Sequence, residues 1–279
     1  MTTIGTVSLT VADLPRALAF YTERLGFRVH AEDRGSARLG AGANDLLVLV
    51  ERKGAQRAPG TTGLFHFAVL LPSREALALA LARLADTRTL LQGAADHLVS
   101  ESLYLADPEG NGIELYRDRP RPTWVWEAGE VRMTVDPLDV EALLQEAAAS
   151  NTAWTGMPAG TVIGHVHLRV AHIAPTERFY CDLLGFDLTA RFGAKASFAS
   201  FGGYHHHVAF NTWSGVGAPP PPEGAAGLRE FVVHLGGADE VEGALARLSA
   251  AGVPIQPGAL VRDPGGNAVR LAASGTTAN

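Results

Sequence analysis

The chain has 279 residues, 47% of them apolar and 19% charged, with a formal net charge of −6. A chain of that length and composition buries one large or two ordinary cores, which excludes a disordered protein. The acidic balance, without any cluster of Lys or Arg, excludes a surface built for nucleic acid or an anionic membrane and favours a small neutral or metal-assisted substrate.

Residues 1–11 run directly into an alternating strand pattern, with no basic and apolar leader and no apolar run of about 18 residues, so a soluble cytoplasmic protein is expected. In the first unit, residues 6–11 alternate, 14–25 follow a helical period that stops at Gly26, and 37–51 hold further strands. The second has a strand at 65–71, a helix at 73–85, and last strands at 101–105 and 112–116 joined by the tight turn Asp107-Pro108-Glu109-Gly110-Asn111-Gly112. Pro120, Pro122 and Trp124 open a linker that carries a helix at 140–149 and closes near Gly160. A third unit spans 162–213, residues 219–222 form a proline-rich surface loop, and a fourth unit spans 230–271. The single cysteine, Cys181, has no disulfide partner and falls in a helical pattern where a buried thiol is expected.

The two halves are copies. IGTVSLTVADLPRALAFYTERLGFRV from Ile4 aligns without a gap against IGHVHLRVAHIAPTERFYCDLLGFDL from Ile163, and a weaker echo relates the segments starting at Leu64 and Leu228. Each unit reads as strand, helix and further strands. The fold class is therefore α+β, four βαβββ units, with residues 1–120 as a first domain (units one and two), 121–160 as a linker with a helix, and 161–279 as a second domain (units three and four).

Chemistry concentrates in residues 95–116, where His97, Tyr104 and Glu114 surround the turn and supply two proton-transfer groups and one hard anionic ligand. A βαβββ unit repeated four times resembles the vicinal oxygen chelate superfamily, the glyoxalase, bleomycin-resistance and extradiol dioxygenase fold, in which paired units form cupped sheets around a divalent metal. The helix ends FYTERLGF and FYCDLLGF carry that resemblance. His97, five residues, Leu103-Tyr104, two residues, Asp107-Pro108, one residue, Gly110, three residues and Glu114 follow the spacing of the extradiol ring-cleavage signature, with Ala95 the departure. YHHHVAFN from Tyr204 and RDRPRPTW from Arg117 are similar to stretches of the bacterial four-unit catechol 2,3-dioxygenases.

The resemblance implies where a metal sits. Ligands in the superfamily come from the first strand of a unit and from the last strand after its DP-G turn, which here gives Thr6, His66, His165 and Glu230 at first strands and Glu114 and Arg270 at last strands. Alone, His66 reads as an ordinary core histidine. Only His66, Glu114 and His165 together give the two histidines and one carboxylate that hold Fe(II), or Mn(II), with places open for a catecholate and O2. In the resembled family the last two units supply all three ligands, so this chain should instead pair units two and three in one cup and units one and four in the other, with Glu230 and Arg270 paired as a relic.

Ring cleavage also needs a proton donor at the O–O bond, and the resemblance assigns it to His206, with His207 the competing position one residue on. Strand alternation would turn His205 and His207 away from the cup. Tyr104 resembles the tyrosine that hydrogen-bonds substrate, and His97 the histidine on the oxygen side. His167 shares a face with His165 as a supporting residue, while His234 and His172 read as structural and exposed. The expected partners are a small aromatic diol and O2, with no nucleic acid and no membrane, and a homo-oligomer is allowed. Two other readings compete: a glyoxalase I-like isomerase, which needs a second carboxylate in the same cup, and a metal-free small-molecule-binding resistance protein.

Overall fold

The structure, a computed structural model, describes residues 2–275. Two curved sheets hold the four units. The seven-stranded sheet runs Leu260–Arg262, Ala268–Ala273, Gly227–Leu235, Thr3–Val11, Asn44–Glu51, Ser36–Ala41 and Arg28–Asp33. The nine-stranded sheet runs Asp136–Pro137, Gly93–Asp96, Ser100–Ala106, Gly112–Asp118, Gly63–Leu70, Val162–Arg169, Val208–Asn211, Ala196–Ser200 and Asp187–Phe192. Each sheet is thus two units joined through antiparallel first strands: unit one to unit four by Thr3–Val11 and Gly227–Leu235, unit two to unit three by Gly63–Leu70 and Val162–Arg169. The alternation of these strands puts Leu9, Phe67, Val166, Leu168, Phe231 and Val233 into the shared core, all fully buried.

Three helices start at side-chain caps. Asp13 accepts from the Arg16 amide at 2.9 Å, Ser73 from that of Ala76 at 3.1 Å and Asp139 from that of Ala142 at 2.9 Å. The helix at Arg74–Asp86 begins one residue later than the pattern suggested, and the linker helix is Val140–Ala149 as read. In units one and three the helix widens after Ala19 and Glu177: the Leu25 amide bonds the Phe20 carbonyl and the Leu184 amide that of Phe179, both five residues back. Gly26 and Gly185 then end each helix at φ +77° and +89°, where a side chain is disfavoured. Cys181 lies on the second widened turn and is half-buried rather than buried; burial pushes its thiol up to about 11, so it stays protonated.

The repeated Phe-Tyr pair has a structural role. Tyr21 Oη donates to Asp107 Oδ2 at 2.8 Å, and Tyr180 Oη to Asp263 Oδ2 at 3.3 Å. Each aspartate opens a DP turn in the following unit, with Oδ1 accepting two turn amides, those of Glu109 and Asn111 in one copy and of Gly265 and Asn267 in the other. The helix of an odd unit therefore clamps the turn of the even unit after it.

Two segments depart from the sequence reading. The strand expected across YHHHVAFN begins only at Val208, because Gly202 and Gly203 take φ +63° and +65° in a turn that leaves residues 204–207 irregular. The linker adds Asp136–Pro137 to the edge of the nine-stranded sheet. Among the described residues no helix is long and apolar enough to cross a membrane.

If the clamp is structural in both copies, Tyr21→Phe and Tyr180→Phe should each lower stability by about 1–3 kcal/mol, the worth of a hydrogen bond to a charged group, with the shorter Tyr21 bond losing more. Urea midpoints of the two variants check this; unchanged midpoints would show that the clamp contributes nothing.

Candidate metal centre

Strand register builds the centre. Glu114 lies opposite Ala68 in the parallel pair, and His165 lies opposite the same Ala68 in the antiparallel pair. The carboxylate and the imidazole thus sit two strands apart and meet across the small side chain of Ala68, with His66 two residues away on that strand. A larger residue at 68 would stand between them. The ligand atoms of His66, Glu114 and His165 all lie within 4.8 Å of one another. Glu114 Oε2 is 3.0 Å from His66 Nε2 and 3.1 Å from His165 Nε2. The His66 nitrogen, though that close, makes no aligned hydrogen bond to any of the described residues. Two nitrogens converging on one carboxylate oxygen without a hydrogen bond for each are what a cation between them would satisfy, so this donor set fits a divalent metal.

Electrostatics agree with that fit. Burial alone would raise the Glu114 carboxyl, but the facing imidazoles of His165 and His66 overturn this and hold it well below the usual carboxylate range. Burial takes His165 down to about 4 against the pull of Glu114, so it offers a lone pair at neutral pH. Gly164, beside it, leaves room for Tyr116: a Cβ there would fall 1.7 Å from the Tyr116 hydroxyl.

The other predicted residues surround this group. Tyr104 stands directly opposite Glu114 across the hairpin, which is why ten residues separate them. Its hydroxyl is 2.6 Å from His97 Nε2, and His97 Nδ1 is 2.6 Å from the Thr134 carbonyl. A carbonyl only accepts, so Nδ1 carries the proton and Tyr104 donates to Nε2. His206 lines the cavity, its ring centroid 4.1 Å from that of His165, whereas His205 and His207 do not line it. All three are buried, and they lie in the irregular segment, so loop geometry and not strand alternation turns them. His167 lines the cavity beside His165 and accepts from Asn211 Nδ2 at 2.9 Å. His172 is exposed at the start of a helix, and His234 lies in the other sheet.

The sequence reading missed several residues. Asp118 Oδ1 accepts from His205 Nε2 at 3.0 Å, and His205 Nδ1 is 2.7 Å from His206 Nδ1. A singly protonated His205 that gives its Nε2 proton to Asp118 accepts from His206 at Nδ1, which leaves His206 Nε2 unprotonated. Glu114, Tyr116 and Asp118 share one face by the strand period of two, a signal present in the sequence. Arg117 and Arg119 turn the other way, to Glu101 at 2.7 Å and Asp96 at 2.5 Å, which gives RDRPRPTW its structural sense. The enclosing cavity, about 470 Å³, is walled by Phe65, Phe192, Phe198 and Trp213, and by Met133 and Val135 from the linker. In the other cup Glu230 is bound by Arg270 through two 2.8 Å contacts, so its carboxylate is already paired.

The profile of the Glyoxalase/Bleomycin resistance protein/Dioxygenase superfamily matches residues 3–115 and 162–271, and the chain belongs to that superfamily. Within it, the chain is 44% identical over 260 residues, 91% of its length and 90% of the relative's, to a catechol-2,3-dioxygenase of Bacillus subtilis (strain 168). That likeness makes it an extradiol dioxygenase-type oxidoreductase. Two solved structures show the same fold at low identity: glyoxalase I from Zea mays (16% identical, TM-score 0.59, covering 98% of this chain and 92% of that one) and the cppA protein from Streptococcus pneumoniae TIGR4 (12%, 0.55, 97% and 99%).

Glu114→Gln keeps the size of the side chain and removes the anion, so metal content after loading should fall about 10- to 100-fold in affinity or more, while Arg270→Ala should leave it intact. Metal titration of the two variants tests this, and a Glu114→Gln protein with full metal affinity would remove Glu114 from the centre.

Proposed function

We propose that the protein opens the ring of catechol or a substituted catechol beside its diol, using O2 and an Fe(II) ion held by His66, Glu114 and His165, to give a 2-hydroxymuconic semialdehyde-type product. The observation that supports this most is the convergence of two imidazoles and one carboxylate inside a cavity walled by aromatic rings. When bound, Fe(II) would offer open coordination places to the diol and to O2 and the reducing power to activate O2; Mn(II) accepts the same donors.

The chain's own residues manage protons and position. Burial, then His165 and His205, hold the His206 imidazole well below its ordinary value, so it begins neutral with Nε2 able to take a proton from a diol hydroxyl. The protonated ring then returns that proton at Nε2 when the O–O bond breaks. Its Nδ1–H rests on His205, which Asp118 orients, so the ring cannot turn during either transfer. Tyr104 spends its proton on His97 and leaves its oxygen as an acceptor for a diol O–H, and Thr134 fixes His97 on that side. The aromatic walls exclude water around these transfers. A glyoxalase-type isomerase would need a second carboxylate, and Glu114 is the one acidic side chain among the described residues that line the cavity.

The iron-loaded protein should turn aerobic catechol yellow in proportion to its iron by elemental analysis. His206→Phe should lower kcat by roughly 10²- to 10⁴-fold with little change in KM, the usual worth of a positioned acid, while His207→Phe keeps most of its kcat. The reverse result would move the proton donor to His207.

A further inference from the structure

A second cavity, of about 400 Å³, draws its lining from both sheets and includes Arg52, Arg57, Arg169, Arg229 and Arg262. Among the described residues none of the five pairs with a carboxylate. Their polar contacts are neutral: Arg229 Nη1 to Thr10 Oγ1 at 3.5 Å, Arg262 Nη1 to the Gly266 carbonyl at 2.9 Å, and Arg169 Nη1 to the Leu64 carbonyl. Of the two acidic residues on the wall, Glu230 is held by Arg270, which leaves Glu223 alone against five guanidiniums. The chain as a whole has 29 acidic and 23 basic side chains, so this concentration of cations runs against its overall balance. Four of the five are exposed and screened by water, but Arg169 is half-buried, and burial followed by the neighbouring Arg57 pulls its pKa down, an effect that an anion between the two would reverse.

This cavity shares a wall with the catalytic one. Arg57, Gly110 and Arg169 line both. His165, His167 and Arg169 alternate along the strand Val162–Arg169 and all face the catalytic cavity, so Arg169 stands four residues, roughly 13 Å of strand, from the metal centre. Phe65 walls the interval, its ring 5.2 Å from that of His66 and 5.1 Å from the Arg169 guanidinium carbon. One aromatic ring with a short arm spans that interval.

The geometry points to a substrate with an anionic arm: a catechol carrying a carboxylate on a short side chain, its diol at His66, Glu114 and His165 and its carboxylate at Arg57 and Arg169. This names the substrate class within the ring-cleavage reading and rests on it. Arg57 is exposed and free to close on the carboxylate, whereas Arg169 is held in place by Leu64 and Phe65. The pair thus supplies one fixed and one adaptable donor.

The test compares a catechol bearing a CH2COO⁻ arm with its methyl ester, by anaerobic calorimetry and by aerobic turnover. The acid should bind about 10- to 100-fold more tightly, the worth of a charge-assisted hydrogen bond lost in the ester. In Arg57→Gln, a change at an exposed side chain that does not threaten folding, and in Arg57→Gln with Arg169→Gln, that ratio should shrink towards one. Equal binding of acid and ester by the native protein, or a ratio unchanged in Arg57→Gln, overturns the proposal. So does inorganic phosphate that binds without weakening the acid, which would assign the cavity to a separate anion. A protein that prefers the acid but cleaves neither compound overturns the ring-cleavage reading and leaves the anion subsite standing; one that cleaves both equally well does the opposite.

Discussion

Everything in the site depends on one buried carboxylate. Glu114 is 2% exposed and faces two histidines, and among the described residues no arginine or lysine binds it. An ionised group out of water requires a counter-charge, and the two facing imidazoles do not supply a full one. A divalent cation does, and its place is set by strand register: Glu114 and His165 both pair with Ala68, so a one-residue slip of either strand would turn its ligand to the opposite face.

The two sheets are a comparison made within one molecule. Both join two units through their first strands, and both brace a DP turn with a tyrosine from the preceding helix. The ligand positions differ. In the nine-stranded sheet they hold a carboxylate that no cation of the chain neutralises; in the seven-stranded sheet the carboxylate of Glu230 is neutralised by Arg270 from the chain itself. An internal ion pair leaves no demand for a metal, so the same backbone presents a candidate metal centre in one cup and a closed ion pair in the other.

The centre also draws on segments outside the repeat. The linker brings the Thr134 carbonyl to His97 and places Met133 and Val135 on the cavity wall, so it is part of the site and not merely a connection. Asp118 and His205, 87 residues apart, fix the orientation of His206. These contacts decide which nitrogen holds a proton, a finer matter than which residues are near.

The sequence by itself determined the four units and most of their helices and turns, because periodicity and internal repetition report local structure directly, whereas the grouping of His66, Glu114 and His165 came from the resemblance to the superfamily, whose ligand positions the repeats locate. It also showed a cation, Arg270, at a ligand position of the fourth unit, where it would repel a metal. Only the tertiary structure decided that the segment before Val208 is a loop, that Asp118 lies behind His205, and that five arginines scattered between positions 52 and 262 share one cavity. The loop follows from Gly202 and Gly203, but the other two facts depend on side chains brought together across about 80 to 210 residues of chain, and no local pattern in a single sequence encodes a contact whose two partners are each unremarkable where they stand.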